Sequence, residues 1–254
     1  MPHHGGMRPT VEDFRALSRS SPWRWRTLHF TRHTDTGEVE AWVRRPGDLL
    51  VRPAGRPEEY VHGVPYSSSS FTLTSSPAET NVEPTTEVFS RPDAAPMFRS
   101  DGLVAERPEH WYFEHSDPMW ENYTWTAMLD PDELGHHVAV DAVRAEARDE
   151  RETWVARLRP GEGYEPRCGC CPLLWSEVSV HAEYGDEPER LARFAAEGYP
   201  DAHEVALDVG TGVVVDLRPI GGGRTDLGFS VEIHEVDTDL DAVFEGQASA
   251  SRIE

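Results

Sequence analysis

Gly37-Glu38-Val39-Glu40-Ala41-Trp42-Val43-Arg44-Arg45-Pro46-Gly47-Asp48-Leu49-Leu50-Val51 decides the fold class. Val39, Ala41 and Val43 fall on one face, and Glu38, Glu40, Trp42 and Arg44 on the other. This is the two-residue period of a half-buried strand. Arg45-Pro46 ends the strand, because proline cannot donate to a ladder, and Asp48–Arg52 begins another. Upstream, Asp35-Thr36-Gly37 supplies a turn after the β-forming stretch Trp23–Thr31. Three short strands joined by tight turns predict an antiparallel meander.

The same reading extends in both directions. Thr10 before Val11, Phe14 and Leu17 predicts a capped amphipathic helix, stopped by Ser20-Ser21-Pro22. Residues 138–144 and 153–159 read as strands around a charged turn, with Trp154, Ala156 and Leu158 inward. Asp130-Pro131-Asp132-Glu133 reads as a helix start. Glu187-Pro188-Glu189 opens a helix carrying Leu191, Phe194 and Ala195. Strands at 203–209 and 213–218 flank Gly210-Thr211-Gly212, another covers 227–236, and a last helical turn ends near Phe244. No long helical crossover is present to make strands parallel. The expected class is α+β, with a strongly curved antiparallel sheet and a few short helices on one face.

The 254 residues suit one domain. We expect a disordered tail at 1–9, with Met7 as an alternative start. A single domain follows at 10–245, with a flexible Ser/Thr/Pro-rich insertion at 66–100. A frayed tail closes the chain at 246–254. The net charge of −22, from 46 acidic and 24 basic residues, all of the latter arginine, repels phosphate backbones and anionic membranes. Nucleic acid is thereby a poor partner. No apolar run is long enough to span a bilayer, and the first residues carry no secretory signal. Three cysteines in one cluster are no disulfide framework. These features predict a cytoplasmic protein with reduced thiols.

That cluster, Cys168-Gly169-Cys170-Cys171, is the densest chemistry in the chain. Its thiolates could share a soft ion such as zinc, with His181 as a fourth ligand, or sense oxidants, with Arg167 lowering a neighbouring thiol pKa. Proline at 166 and 172 and the apolar run Leu173-Leu174-Trp175 predict instead a buried packing role. Trp23, Trp25, Trp42, Trp111, Trp120 and Trp125 could line a pocket for an apolar ligand, or form core. His110, Glu114 and His115 miss the inverted zinc-peptidase spacing by one residue. Gly221-Gly222-Gly223 lacks the lysine and helix of a phosphate cradle. Asp237, Asp239 and Asp241 lack the glycine and distal glutamate of a calcium loop. No catalytic residue set emerges.

The Gly37–Val51 meander resembles the opening strands of the LolA-type lipoprotein carriers and the related RseB-type regulators, in which an aromatic strand ends in a basic-x-Pro step. Val205-Ala206-Leu207-Asp208-Val209-Gly210-Thr211-Gly212-Val213-Val214-Val215, Phe229–Ile233 and Asp239–Phe244 are similar to that superfamily's closing strands. Tyr164–Leu174 resembles an actinobacterial branch without a counterpart in the carriers. The resemblance implies an open half-barrel whose concave face holds an acyl chain or a partner segment. The expectation is a non-enzymatic protein that binds a hydrophobic small molecule or a protein partner and needs no cofactor. The alternative is metal binding or thiol redox sensing at Cys168–Cys171.

Overall fold

The predicted alternation becomes a hydrogen-bonded register in the computed structural model, which describes residues 8–63, 67–69, 86–88, 95–108, 117–185, 187–224, 226–245 and 247. Strand β1 (Thr27–Thr34) pairs antiparallel with β2 (Gly37–Arg44), setting Leu28 opposite Val43 and Phe30 opposite Ala41. Strand β3 (Asp48–Pro53) continues the layer with Leu49 beside Val43 and Val51 beside Ala41, and β4 (Glu59–His62) ends it. Leu28, Phe30, Ala41, Val43, Leu49 and Val51 are all buried on one face. Trp42 and Leu50 point to the other, where they meet Leu240 and Phe244.

Strand β1 begins at Thr27, later than expected. Ser21–Trp23 is a 3-10 turn in which the Trp23 N–H bonds Ser20 O at 3.0 Å. Pro22 has the fixed φ of a first helical position, and that outweighs the β-preference of tryptophan. Before it, α1 (Val11–Ser18) starts as predicted: Asp13 N donates to Thr10 Oγ1 while the Asp13 carboxylate receives Thr10 N.

In the 66–100 segment and just after it, two short ladders are described. Strands β5 (Ser67–Ser69) and β6 (Thr86–Val88) pair, as do β7 (Met97–Phe98) and β8 (Val104–Glu106). Residues 70–85 and 89–94 of the expected insertion lie outside the described residues, as do the 1–7 part of the tail and residues 248–254.

A second meander comes from the C-terminal half. Strands β9 (Val138–Arg148) and β10 (Arg151–Pro160) form a hairpin whose turn residues Asp149 and Glu150 both take positive φ. Strands β11 (Ala202–Asp208), β12 (Val214–Ile220) and β13 (Phe229–Val236) complete it. The sheet order is β4-β3-β2-β1-β13-β12-β11-β10-β9, antiparallel throughout. The two meanders are therefore joined at the centre by β1 against β13, and β4 and β9 are open edges. Of the expected inward set, Ala156 and Leu158 are fully buried and Trp154 is half-buried against the core, while the register shift between Val155 and Arg157 lets Thr153 and Val155 be buried as well.

Helices cover the inner face. Phe14 and Leu17 of α1 join the core, and α1 packs on β9 and β11. The helix expected to begin at Asp130 is displaced: α2 (Tyr123–Leu129) ends there, and Asp132–Gly135 is a 3-10 turn. Asn122 Oδ1 caps α2 by accepting Thr124 N at 3.0 Å, and Trp125, Met128 and Leu129 are buried. Burial of those side chains outweighs the weak helix propensity of Tyr-Thr-Trp-Thr. Helices α3 (Glu177–Tyr184) and α4 (Pro188–Glu197) follow the cysteine segment and surround a smaller core of Trp175, Val180 and Phe194. A single turn, α5 (Asp241–Phe244), ends the described fold.

Candidate functional site

The five described tryptophans of the expected set do not share a pocket. Trp25 and Trp125 are closed into the main core, and Trp120 packs edge-on against Trp125 with ring centroids 5.3 Å apart. Trp42 lies on the opposite face of the sheet, stacked on His29 at 4.7 Å. Trp23 is half-buried with the Arg107 guanidinium 5.5 Å from its ring. Trp111 lies outside the described residues, with His110, Glu114 and His115. Large aromatics here fill the interior that a modest aliphatic content leaves.

The cysteines behave in the opposite way. Burial was expected, but Cys170 is exposed and Cys168 and Cys171 are half-buried. Their reach to solvent has a visible cause. Residues 164–174 form an arch whose two feet are tied to one carboxylate: Glu133 accepts Arg167 N at 2.9 Å, Leu173 N at 3.2 Å and Tyr164 Oη at 2.5 Å. Tyr164, Leu173 and Leu174 are buried beneath it. The apolar run therefore anchors the feet, and the residues between bulge outward. Gly169 lets the crest lie on α3, since a Cβ there would stand 2.5 Å from Glu183 Cβ and 3.0 Å from Ser179 O. Thr124 Oγ1 donates to Cys171 O at 2.8 Å and holds the far side to α2.

The arch brings the three sulfurs together. Cys168 Sγ and Cys170 Sγ are 2.8 Å apart, Cys170 Sγ and Cys171 Sγ 3.7 Å, and all three lie within 4.8 Å of one another. His181, the expected fourth ligand, is not part of this group. Burial works against ionising Cys168, but hydrogen bonds from the thiols and backbone of Cys170 and Cys171 outweigh it and lower its pKa. The hydrogen bond with Cys168, together with burial, pushes the Cys170 thiol up to about 12. Burial first, then the hydrogen bond with Cys168, also raises Cys171. Ionisation is thus favoured at Cys168 over its two neighbours. Through its described contacts, Arg167 is not a cause of these shifts. Its side chain turns to Asp130, donating to the backbone O at 3.0 Å and to Oδ2 at 3.3 Å.

Asp130 belongs to the frame under the arch. Burial pushes its carboxyl up, yet Arg107 and Arg167 outweigh that and hold it down at about 2. Burial raises the Glu133 carboxyl against its hydrogen bonds. Arg45 makes a two-pronged pair with Asp117 at 2.7 and 2.8 Å, with its guanidinium 3.3 Å above the Trp25 ring.

Cys170 and Cys171 form one wall of a cleft of about 660 Å³. The ends of β1 and β2 and the segment around Trp120 to Thr124 form other walls, and Trp175, Arg224, Asp226 and Leu227 close it. Three arginines reach it: Arg32, Arg56 and Arg224. Sequence reasoning found the cysteines but missed Glu133, which sets their exposure, and Arg32. The alternation Leu28, Phe30, Arg32 was the available signal, because it puts an arginine on the buried face of β1.

No protein-family model matches the chain, and no curated protein matches it. The described site geometry is therefore what the functional reading stands on.

Proposed function

We propose that this is a binding protein whose ligand is a soft metal ion of the zinc type, taken by Cys168, Cys170 and Cys171 at the wall of the cleft. The supporting observation is the convergence of three sulfurs within 4.8 Å on an exposed arch. Two thiolates on a tetrahedral ion at about 2.3 Å stand about 3.8 Å apart. The Cys170–Cys171 separation of 3.7 Å already matches, and exposed Cys170 needs only a side-chain rotation to open its 2.8 Å approach to Cys168. Three protein ligands leave a fourth position for water or a ligand group.

Around this site we propose that the nine-stranded sheet coils about α1 and α2 as an open half-barrel of LolA-like kind. Support comes from its two free edges and from the helices on one face. The proposal also takes the compartment to be the cytoplasm, where thiols stay reduced. No helix among the described residues is long and apolar enough to cross a membrane.

Zinc competition between the reduced full chain and a chromophoric chelator tests the metal reading, combined with thiol counting. One zinc per chain, three reactive thiols that zinc protects, and loss of both in the C168S/C170S/C171S variant are expected. No zinc uptake, or a single reactive thiol with a mass two units lower, overturns the reading; the second result is the redox one.

A further inference from the structure

Arg32 continues the inward set of β1 after Leu28 and Phe30, at the point where the core ends and the cleft begins. Its guanidinium lies 4.8 Å from the Phe229 ring and 6.0 Å from the Trp125 ring. Its Nε is buried with no hydrogen-bond partner. Among the described residues no carboxylate forms an ion pair with it. The other two arginines of the cleft are neutralised, Arg56 by Glu121 at 2.8 Å and Arg224 by Asp226 at 2.7 Å. In a chain with 46 acidic and 24 basic residues, acidic partners are plentiful, so an unpaired inward guanidinium is a costly arrangement to leave in place. Burial lowers its pKa to about 10, and Glu121 only partly offsets this. At neutral pH the fork still carries its charge.

We propose that Arg32 is the anchor of a second ligand site in this cleft, one that takes the carboxylate of a small organic monoanion. A carboxylate is planar and accepts two parallel N–H bonds from one guanidinium. A phosphate dianion fits less well, because Asp35 and Glu38 also line the cleft and among the described residues no arginine forms an ion pair with either, Glu38 lying instead 3.6 Å from His33. Trp120, Trp175 and Leu227 give the body of the ligand apolar wall. A cleft of about 660 Å³ suits a molecule of that class. The site does not rest on the thiolate reading, although both share one cleft.

The test follows the Arg32 Nε–H resonance in the 15N-labelled full chain, identified by its disappearance in R32K. Every sample contains a chelator, so the result is independent of metal at the cysteines. Sodium benzoate and inorganic phosphate are titrated at constant ionic strength against sodium chloride. Benzoate is expected to shift the resonance saturably and chloride only linearly, with phosphate at least tenfold weaker than benzoate. Tenfold or greater weakening is expected in R32K, and loss of saturable binding in R32Q, both read from tryptophan fluorescence. A linear benzoate response, a phosphate response stronger than benzoate, or unchanged benzoate binding in R32K overturns the proposal. The R32K arm decides the matter even where R32Q fails to fold.

Discussion

The Glu133 carboxylate accepts the backbone N–H of Arg167 at 2.9 Å, and through the same side chain it also holds Leu173 N and Tyr164 Oη. One buried acid thus closes both feet of the arch that carries the cysteines.

Replacing that acid by alanine leaves the buried Leu173 N–H and Tyr164 phenol, and the part-buried Arg167 N–H, without this acceptor. At about 1–3 kcal/mol for each unsatisfied group, with partial relaxation, E133A is expected to lose about 3 kcal/mol in urea unfolding. It is also expected to lose zinc uptake while retaining sheet circular dichroism. E133A as stable as the parent chain would remove the arch model.

Gly169 is expected to tolerate no side chain. A Cβ would meet the α3 main chain at Ser179 O, 3.0 Å away, and Glu183 Cβ at 2.5 Å. In G169A the crest must lift off α3, with a cost of about 1–3 kcal/mol and a weaker zinc affinity. Calorimetry on the two proteins measures both effects.

His203 is 1% exposed, and neither ring nitrogen has a partner. Burial lowers its pKa from 6.5 to about 4. The folded value is below the unfolded one, so the unfolded chain binds the proton first as pH falls. Stability from this group is full above about pH 6.5 and is lost as pH falls to 4, a change of about 3 kcal/mol. His203→Leu is expected to flatten that part of the stability profile and to be no less stable at pH 7. Urea midpoints at pH 7, 5.5 and 4.5 for both proteins check it.

Asp130 works in a lower window. Its folded pKa of about 2 lies below the ordinary 3.8, so its contribution is full above about pH 4 and is lost as pH falls through 2, a change of about 2 kcal/mol. In D130N the acid loss in this range is expected to shrink. The variant is also expected to be less stable at neutral pH, because Arg107 and Arg167 lose the charge of Asp130, although Asp132 remains paired with Arg107. Acid unfolding followed by fluorescence distinguishes the two curves.

The strands were legible where alternation is local. Val39, Ala41 and Val43 announce their face, and Leu28 and Phe30 lie opposite on the same layer. Glycine marked the turns correctly at Asp35–Gly37 and Gly210–Gly212. Helix α3 was not legible, because its capping box uses Ser179 where glutamate would signal it: Ser176 N donates to Ser179 Oγ at 2.9 Å. Helix α2 was hidden by residues that favour strands and turn helical only when packed. The cysteines were visible at once, but their exposure was not. Leu173 and Leu174 are buried as their composition suggests, and it is Glu133, more than thirty residues upstream, that pushes the crest outward. Likewise the unpaired state of Arg32 depends on which acids Arg56 and Arg224 have already taken, which no local pattern records.

The seam between β1 and β13 sets Leu28 opposite Val236 and Phe30 opposite Ile233. Every other neighbouring pair in the sheet is drawn from within one meander. Most pairs within a meander close through short turns, and β10 and β11 close around the 161–201 segment, whereas the seam must close nearly the whole chain into a loop before its contacts repay the entropy. The expected order of assembly is therefore two half-sheets first and docking along β1 and β13 last. Truncating Ile233 to valine is then expected to speed unfolding while leaving the refolding rate of each half-sheet unchanged, so the middle of the finished sheet is the youngest part of it.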